Sequence, residues 1–86
     1  MSEAKICQAI CSGVVRAIRD ERQRQGLSME RLAEKAGISK GMVSLVEREL
    51  RNPTLDTVLR LARALKLDPG GVIKRVSGEA VSGERR

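Results

Sequence analysis

Ser28-Met29-Glu30-Arg31-Leu32-Ala33-Glu34-Lys35-Ala36-Gly37-Ile38-Ser39-Lys40-Gly41-Met42-Val43-Ser44-Leu45-Val46-Glu47-Arg48 decides how this chain folds. Leu32, Ala33 and Ala36 make an apolar face at helical spacing. They begin just after Ser28, whose hydroxyl suits a helix N-cap because it can accept from the free amides of the first turn. Gly37 stops that helix where a left-handed residue is needed, a conformation that costs glycine nothing sterically. Ile38 plugs the corner and Ser39 is placed to cap the next helix. Val43 and Val46, three apart, turn inward, and Ala33 is small where two crossing helices touch. Outward on the second helix remain Lys40, Gly41, Ser44, Leu45 and Arg48. The stretch therefore predicts a helix, a glycine turn and a second helix with a face open to a long ligand such as a DNA groove.

Outside this unit, the sequence continues to read as helices. Residues 14–25 form a charged helix with Val14, Ala17 and Ile18 on one side, ended by Gly26. Before Val14 two readings stand. Either Ser12-Gly13 starts the helix, leaving 1–13 as an extension, or residues 3–25 form one long helix, since Ile6, Ile10, Val14 and Ile18 repeat every four. Arg51-Asn52-Pro53 is a loop, and Thr54 is the next N-cap, with Asp56 in the first turn where a negative charge meets the helix dipole. Leu55, Val58, Leu59, Ala62 and Leu65 make the apolar face of a fourth helix ending near Lys66. Asp68-Pro69 pairs a cap with a proline at the first helical position and opens a short fifth helix carrying Val72, Ile73 and Val76. The domain so read spans 14–76. Residues 77–86 are small and polar and read as a flexible tail. There is no strand pattern and no internal repeat. The fold class is all-α, a bundle of four to five short helices around a central helix-turn-helix.

Composition agrees with a small binding module. The chain has 86 residues, room for one domain with a modest core. It contains no Phe, Tyr or Trp, so Leu, Val, Ile, Ala and Met must fill that core. A formal charge of +6 favours a polyanionic partner or an acidic surface. The charge is spread along the chain: residues 28–54 carry five Lys/Arg against four Asp/Glu, so charge alone does not single out the candidate reading unit.

Other classes fit poorly. No stretch reaches the apolar length of about 20 residues that a membrane span needs, and the first residues lack the pattern of a secretory signal, so a cytoplasmic protein is expected. Cys7 and Cys11 lie one helical turn apart, but without histidine or a second cysteine pair they fall short of a zinc site's four ligands. They read as small apolar residues beside Ile6, Ile10 and Val14, and a disulfide one turn apart is geometrically poor. No metal or cofactor is expected. Nor is an enzyme: there is no histidine, no cysteine with a base partner and no phosphate-cradling glycine loop.

The series Arg22, Gly26-Leu27-Ser28, Leu32-Ala33, Ala36-Gly37-Ile38-Ser39, Val43-Ser44, Glu47, Asn52-Pro53, Leu55, Leu61-Ala62 and Ala64-Leu65 resembles the Cro/repressor-type, lambda-repressor-like helix-turn-helix family. The resemblance covers about residues 14–76. It implies a transcriptional regulator that binds double-stranded DNA, usually as a homodimer on a palindromic operator. Lys40 then starts the helix that enters the major groove and can donate to guanine O6/N7 or to a phosphate. Ser44, one turn on, reaches a base edge without selectivity. Leu45 either touches a thymine methyl or packs on the fourth helix. Gly41 leaves no side chain where relatives commonly carry a polar reader, so either the backbone approaches DNA closely there or the position reads nothing. Met42 is a spacer or partial core. Ser28 and Ser39 head helices whose positive ends favour a phosphate, with Met29 offering only its backbone amide. Arg48, Arg51 and Asn52 follow the reading helix and can hold the flanking DNA backbone without reading sequence.

The same resemblance implies that Arg22 and Glu47 pair, partly buried, tying the first helix to the end of the third. Arg22 is also within possible reach of a phosphate. Glu49 stands where relatives usually have glycine, so either the third helix runs longer or Glu49 is strained. The rival reading is a protein-interaction module, an antitoxin or dimerising adaptor with weak DNA contact. Its partner surface would be Leu45, Met42, Leu50, Val72, Ile73 and Val76. In the DNA-binding reading, two copies associate through the fifth helix and the Ile6/Ile10 stripe.

Overall fold

The computed structural model describes residues 2–84, with side chains through Val81. Its five helices are α1 (Glu3–Arg24), α2 (Met29–Ala36), α3 (Lys40–Glu47), α4 (Leu55–Ala64) and α5 (Pro69–Glu84). Each of the first four starts at a hydroxyl cap. Ser2, Ser28, Ser39 and Thr54 accept from the amides of Lys5, Arg31, Met42 and Thr57 respectively.

The long-helix reading of the N-terminal segment is the one that forms. α1 runs unbroken through Ser12-Gly13, and its buried face includes Ile6, Val14, Val15 and Ile18. Gly13 starts no helix. A Cβ there would collide with Cγ1 of Val76, so the glycine makes room for α5 to pack against α1. Cys7 and Cys11 are exposed and are not core neighbours. Each follows an apolar stripe residue, Ile6 or Ile10, by one position, about 100° round a 3.6-residue helix and off the buried side.

α5 is longer than the sequence reading. It continues through residues 77–84, where the small polar composition predicts a flexible tail, while residues 85–86 lie outside the described ones. Val72 and Val76 are buried and Ala80 is half-buried. That four-residue spacing forms a stripe running beyond Val76, and packing overrides the weak helix propensity of Ser77-Gly78. Burial of Val72 and Val76 also removes them from any partner surface; of the α5 residues assigned to one, Ile73 is exposed.

One core joins the helices, with Ile18, Leu32, Val43, Val46, Leu61 and Leu65 fully enclosed. At roughly 1.5–3 kcal/mol for each buried aliphatic side chain, this cluster is the main source of stability. Ile38, Met29 and Met42 pack against it from the edge, which makes Met42 partial core. Gly37 takes φ 72°, and the amides of Gly37 and Ile38 both bond the carbonyl of Ala33, closing α2 tightly before α3 begins.

α3 ends the same way without a glycine. Arg48 caps it, Glu49 sits at φ 56°, and the Leu50 amide bonds the Leu45 carbonyl at 3.0 Å. Of the two expectations for this point, the strained Glu49 is the observed one. α4 likewise closes just before Lys66, at φ 61°.

Candidate nucleic-acid interface

The angle of α3 is fixed from behind. Its buried valines are backed by Glu47, a carboxylate in an apolar setting that needs a charged partner. Arg22 of α1 supplies it. Nε donates to Oε2 at 2.7 Å and Nη2 to Oε1 at 2.9 Å, a two-pronged fit between planar groups. Nη1 donates to the Leu27 carbonyl at 2.6 Å, so the same guanidinium also ties down the segment leading into α2. The side chains are 11% and 3% exposed. Hydrogen bonding to Glu47 holds the Arg22 pKa above its ordinary value. Arg22 is thus aimed inward as a brace, away from any phosphate. Among the described residues, no buried side-chain polar atom lacks a partner.

In front of this brace lies the exposed face of α3. Lys40 and Gly41 are exposed, and a Cβ at Gly41 would meet only Ser39 Oγ, at 3.9 Å. Nothing in the protein crowds that position. Ser44 and Leu45 are half-buried and carry the face round toward the end of the helix. Arg48, Arg51 and Asn52 are exposed beyond it. Among the described residues neither arginine forms an ion pair, so both guanidinium groups can meet an anion.

The helix ends carry the remaining site residues. Ser28 and Ser39 each spend a lone pair on capping, accepting from the Arg31 and Met42 amides, which leaves the Met29 amide of α2 and the Lys40 and Gly41 amides of α3 without an intrahelical partner. Met29 is half-buried, its side chain against the core. The site thus comprises one helix face with the capped starts of α2 and α3 at one end and a basic loop at the other. Hydrogen-bond donors predominate, suiting a partner whose surface is phosphate and base edges.

Two acidic contacts were not legible in the sequence. Glu30 of α2 reaches across the turn to Lys40, with Oε1 3.0 Å from Nζ. The lysine hydrogen bond is the largest influence holding the Glu30 pKa below its ordinary value, with further support from its own amide. Glu49 Oε2 lies 3.7 Å from Nε of Arg16 on α1. Neither pair has the three- or four-residue spacing by which helical ion pairs are found in sequence.

Among the described residues, no three His, Cys, Asp or Glu side chains come together in a way that could hold a metal ion. None of the described helices is long and apolar enough to cross a membrane.

Comparison with known proteins places the same elements in a wider set. Residues 18–72 match the helix-turn-helix family. The control protein C.SmaI of Serratia marcescens is 39% identical over 66 residues, 76% of this chain and 79% of that protein. The HTH-type transcriptional regulator Rv0474 of Mycobacterium tuberculosis is 42% identical over 50 residues, 58% of this chain. SutR of Escherichia coli, another HTH-type transcriptional regulator, is 41% identical over 46 residues, 54% of this chain. The aligned stretches span 36% and 26% of those two regulators. A crystal structure of the restriction-modification controller protein C.Esp1396I superposes with a TM-score of 0.73 at 23% identity, over 85% of this chain and 95% of that one. A second structure, of C.Esp1396I bound to an operator site, gives 0.72.

Proposed function

Because this chain belongs to the helix-turn-helix family, we propose that it is a sequence-specific regulator of transcription that inserts α3 into the major groove of duplex DNA. The observation that carries this reading is the outward face from Lys40 to Arg48, solvent-facing in front and braced behind by Val43, Val46 and the Arg22–Glu47 pair. Lys40 and Ser44 read base edges, Leu45 meets a thymine methyl, and Gly41 lets the α3 backbone come close to the groove wall. The Met29 amide of α2 and the first amides of α3, beside Ser28 and Ser39, hold phosphates on one side. Arg48, Arg51 and Asn52 hold them on the other.

The regulator acts as a homodimer. Leu55 is 66% exposed and Ile73 37%, and they border an apolar groove of about 210 Å³ that also takes in Ile10, Val14, Pro53 and Val58. Exposed apolar surface of this kind favours a partner. Ile6 is buried within the monomer and takes no part, so of the N-terminal stripe Ile10 contributes, beside the start of α4 and the face of α5 carrying Ile73. A twofold pair places its two α3 helices about 34 Å apart, one turn of DNA, which requires a palindromic site. The protein works in the cytoplasm, on the nucleoid when bound.

Selection of binders from random duplex DNA, with the mass of the complex measured, tests this. A palindromic consensus bound by two chains is expected. Recovery of no consensus, or binding indifferent to salt, would overturn the reading, because phosphate contacts release counterions and must weaken as salt rises.

A further inference from the structure

We propose that Glu30 is a specificity-determining positioning residue that acts through Lys40, holding its ammonium away from DNA phosphates while presenting its remaining donors to a guanine edge. The proposal rests on the assignment of Lys40 as a reader. Glu30 is the second residue of α2 and Lys40 the first of α3, and their 3.0 Å contact bridges the ends of both helices on the side proposed to face DNA. Both side chains are 59% exposed, so the pair lies in water and exchanges easily. The carboxylate is nonetheless held in place: besides Lys40, its own backbone amide and Ser28 bond to it.

A solvated lysine beside this interface would go to any phosphate, adding affinity that is the same for every sequence. With Glu30 fixed beside it, leaving the carboxylate for a phosphate exchanges one exposed ionic contact for another and gains little. A guanine that offers O6 and N7 together can be bonded by the other N–H donors of the ammonium while one stays on Glu30, so the specific contact forms without giving up the pair. Glu30 therefore weakens the sequence-independent mode more than the specific one and raises the ratio between them.

The test measures affinity for the selected site and for unrelated duplex across a salt series. Glu30→Gln keeps the size of the side chain and its ability to accept from its own amide. It should tighten binding to unrelated duplex by about threefold. It should also steepen the salt slope there by about 0.9, one more phosphate contact. Affinity for the selected site should change less than twofold. In a Lys40→Ala background the same substitution should do nothing to the ratio. Glu34→Gln makes the same charge change elsewhere on α2, in a pair with Arg31, and should leave the ratio alone. An unchanged ratio in Glu30→Gln, an equal effect without Lys40, or an equal effect from Glu34→Gln would each overturn the proposal. A wild-type chain that prefers no sequence would instead overturn the DNA-reading function on which the proposal stands.

Discussion

The Arg22 guanidinium and the Glu47 carboxylate, 25 positions apart in sequence, are joined by two parallel hydrogen bonds of 2.7 and 2.9 Å at the base of α3. A buried pair of this kind is costly to break from one side, because the remaining charge is stranded. Arg22→Ala and Glu47→Ala should each lower stability by about 3 kcal/mol in denaturant melts. Exchanging both for apolar residues of similar size, Arg22→Met with Glu47→Leu, should lose much less. DNA affinity of that double variant should nevertheless fall, since the directional tie that fixes the angle of α3 is lost and only apolar packing remains. Equal stability losses in the single and double variants would show that the pair is not coupled.

Gly13 is a second point where two helices depend on one small side chain. In an exposed helix interior, glycine to alanine should gain up to about 1 kcal/mol in helix propensity. Here the added methyl collides with Val76 of α5. Gly13→Ala should therefore destabilise by about 1–3 kcal/mol, the range for overpacking. Gly13→Ala with Val76→Ala should melt higher than Val76→Ala alone. Thermal melts of the four proteins form a closed cycle, and additivity would refute the contact.

Glu49 gives the opposite expectation. Its φ of 56° costs a side-chain-bearing residue about 1–2 kcal/mol. Glu49→Gly should recover about 1 kcal/mol despite losing the exposed 3.7 Å contact with Arg16, an interaction worth little in water. Removing a carboxylate near Arg48 and Arg51 should tighten DNA binding as well. A Glu49→Gln variant separates the effects, keeping the strain and losing the charge.

These three sites show what the sequence could and could not tell. The caps at Ser28, Ser39 and Thr54 and the turn at Gly37 were legible because they depend on local chemistry, a hydroxyl before an apolar face or a residue without Cβ. The Arg22–Glu47 pairing was expected from the family resemblance, since no local rule links positions so far apart. Gly13 was misleading. A glycine after a serine has the same appearance whether it breaks a helix or lets another helix approach, and only the path of α5 decides. The extension of α5 was hidden because Val72, Val76 and Ala80 form a stripe too sparse to stand out among Ser77, Gly78 and Glu79. For the site, the exposure of Lys40, Gly41 and Arg48 could be read, whereas the half-burial of Ser44 and Leu45 and the Glu30–Lys40 contact depend on how α3 packs and how α2 and α3 cross.

Acid should act on α1 through Glu21. Hydrogen bonds from Arg24 and Gln25 bring its pKa from an ordinary 4.5 down to about 2. A carboxyl more acidic in the folded state stabilises that state fully above pH 4.5 and progressively less as pH falls toward 2. Arg22 works in the other direction. Its raised pKa contributes at every pH below the ordinary arginine value and gives no pH dependence in the neutral range. Carboxyl NMR titration should find Glu21 among the last side chains to protonate, and Arg24→Ala should move it up. Glu21→Gln should flatten the dependence of melting temperature on pH below 4.5.

Lys40 and Arg51 should fail in different ways when removed. Lys40 is at the leading end of α3, so Lys40→Ala should cost about 1–3 kcal/mol at the preferred site and relax the base preference at one half-site position. Arg51 is in the loop beyond Glu49, unpaired among the described residues, and in the proposed complex it contacts only the DNA backbone. Arg51→Ala should weaken every duplex alike and lower the salt slope by about 1 per half-site. Both follow from position, since a residue at the tip of the inserted helix meets base edges while one beyond its C-terminus meets phosphate. Binding of the two variants to a library of half-site changes separates them. A sequence preference unchanged in Lys40→Ala would remove Lys40 from the reading face and leave the phosphate contacts standing.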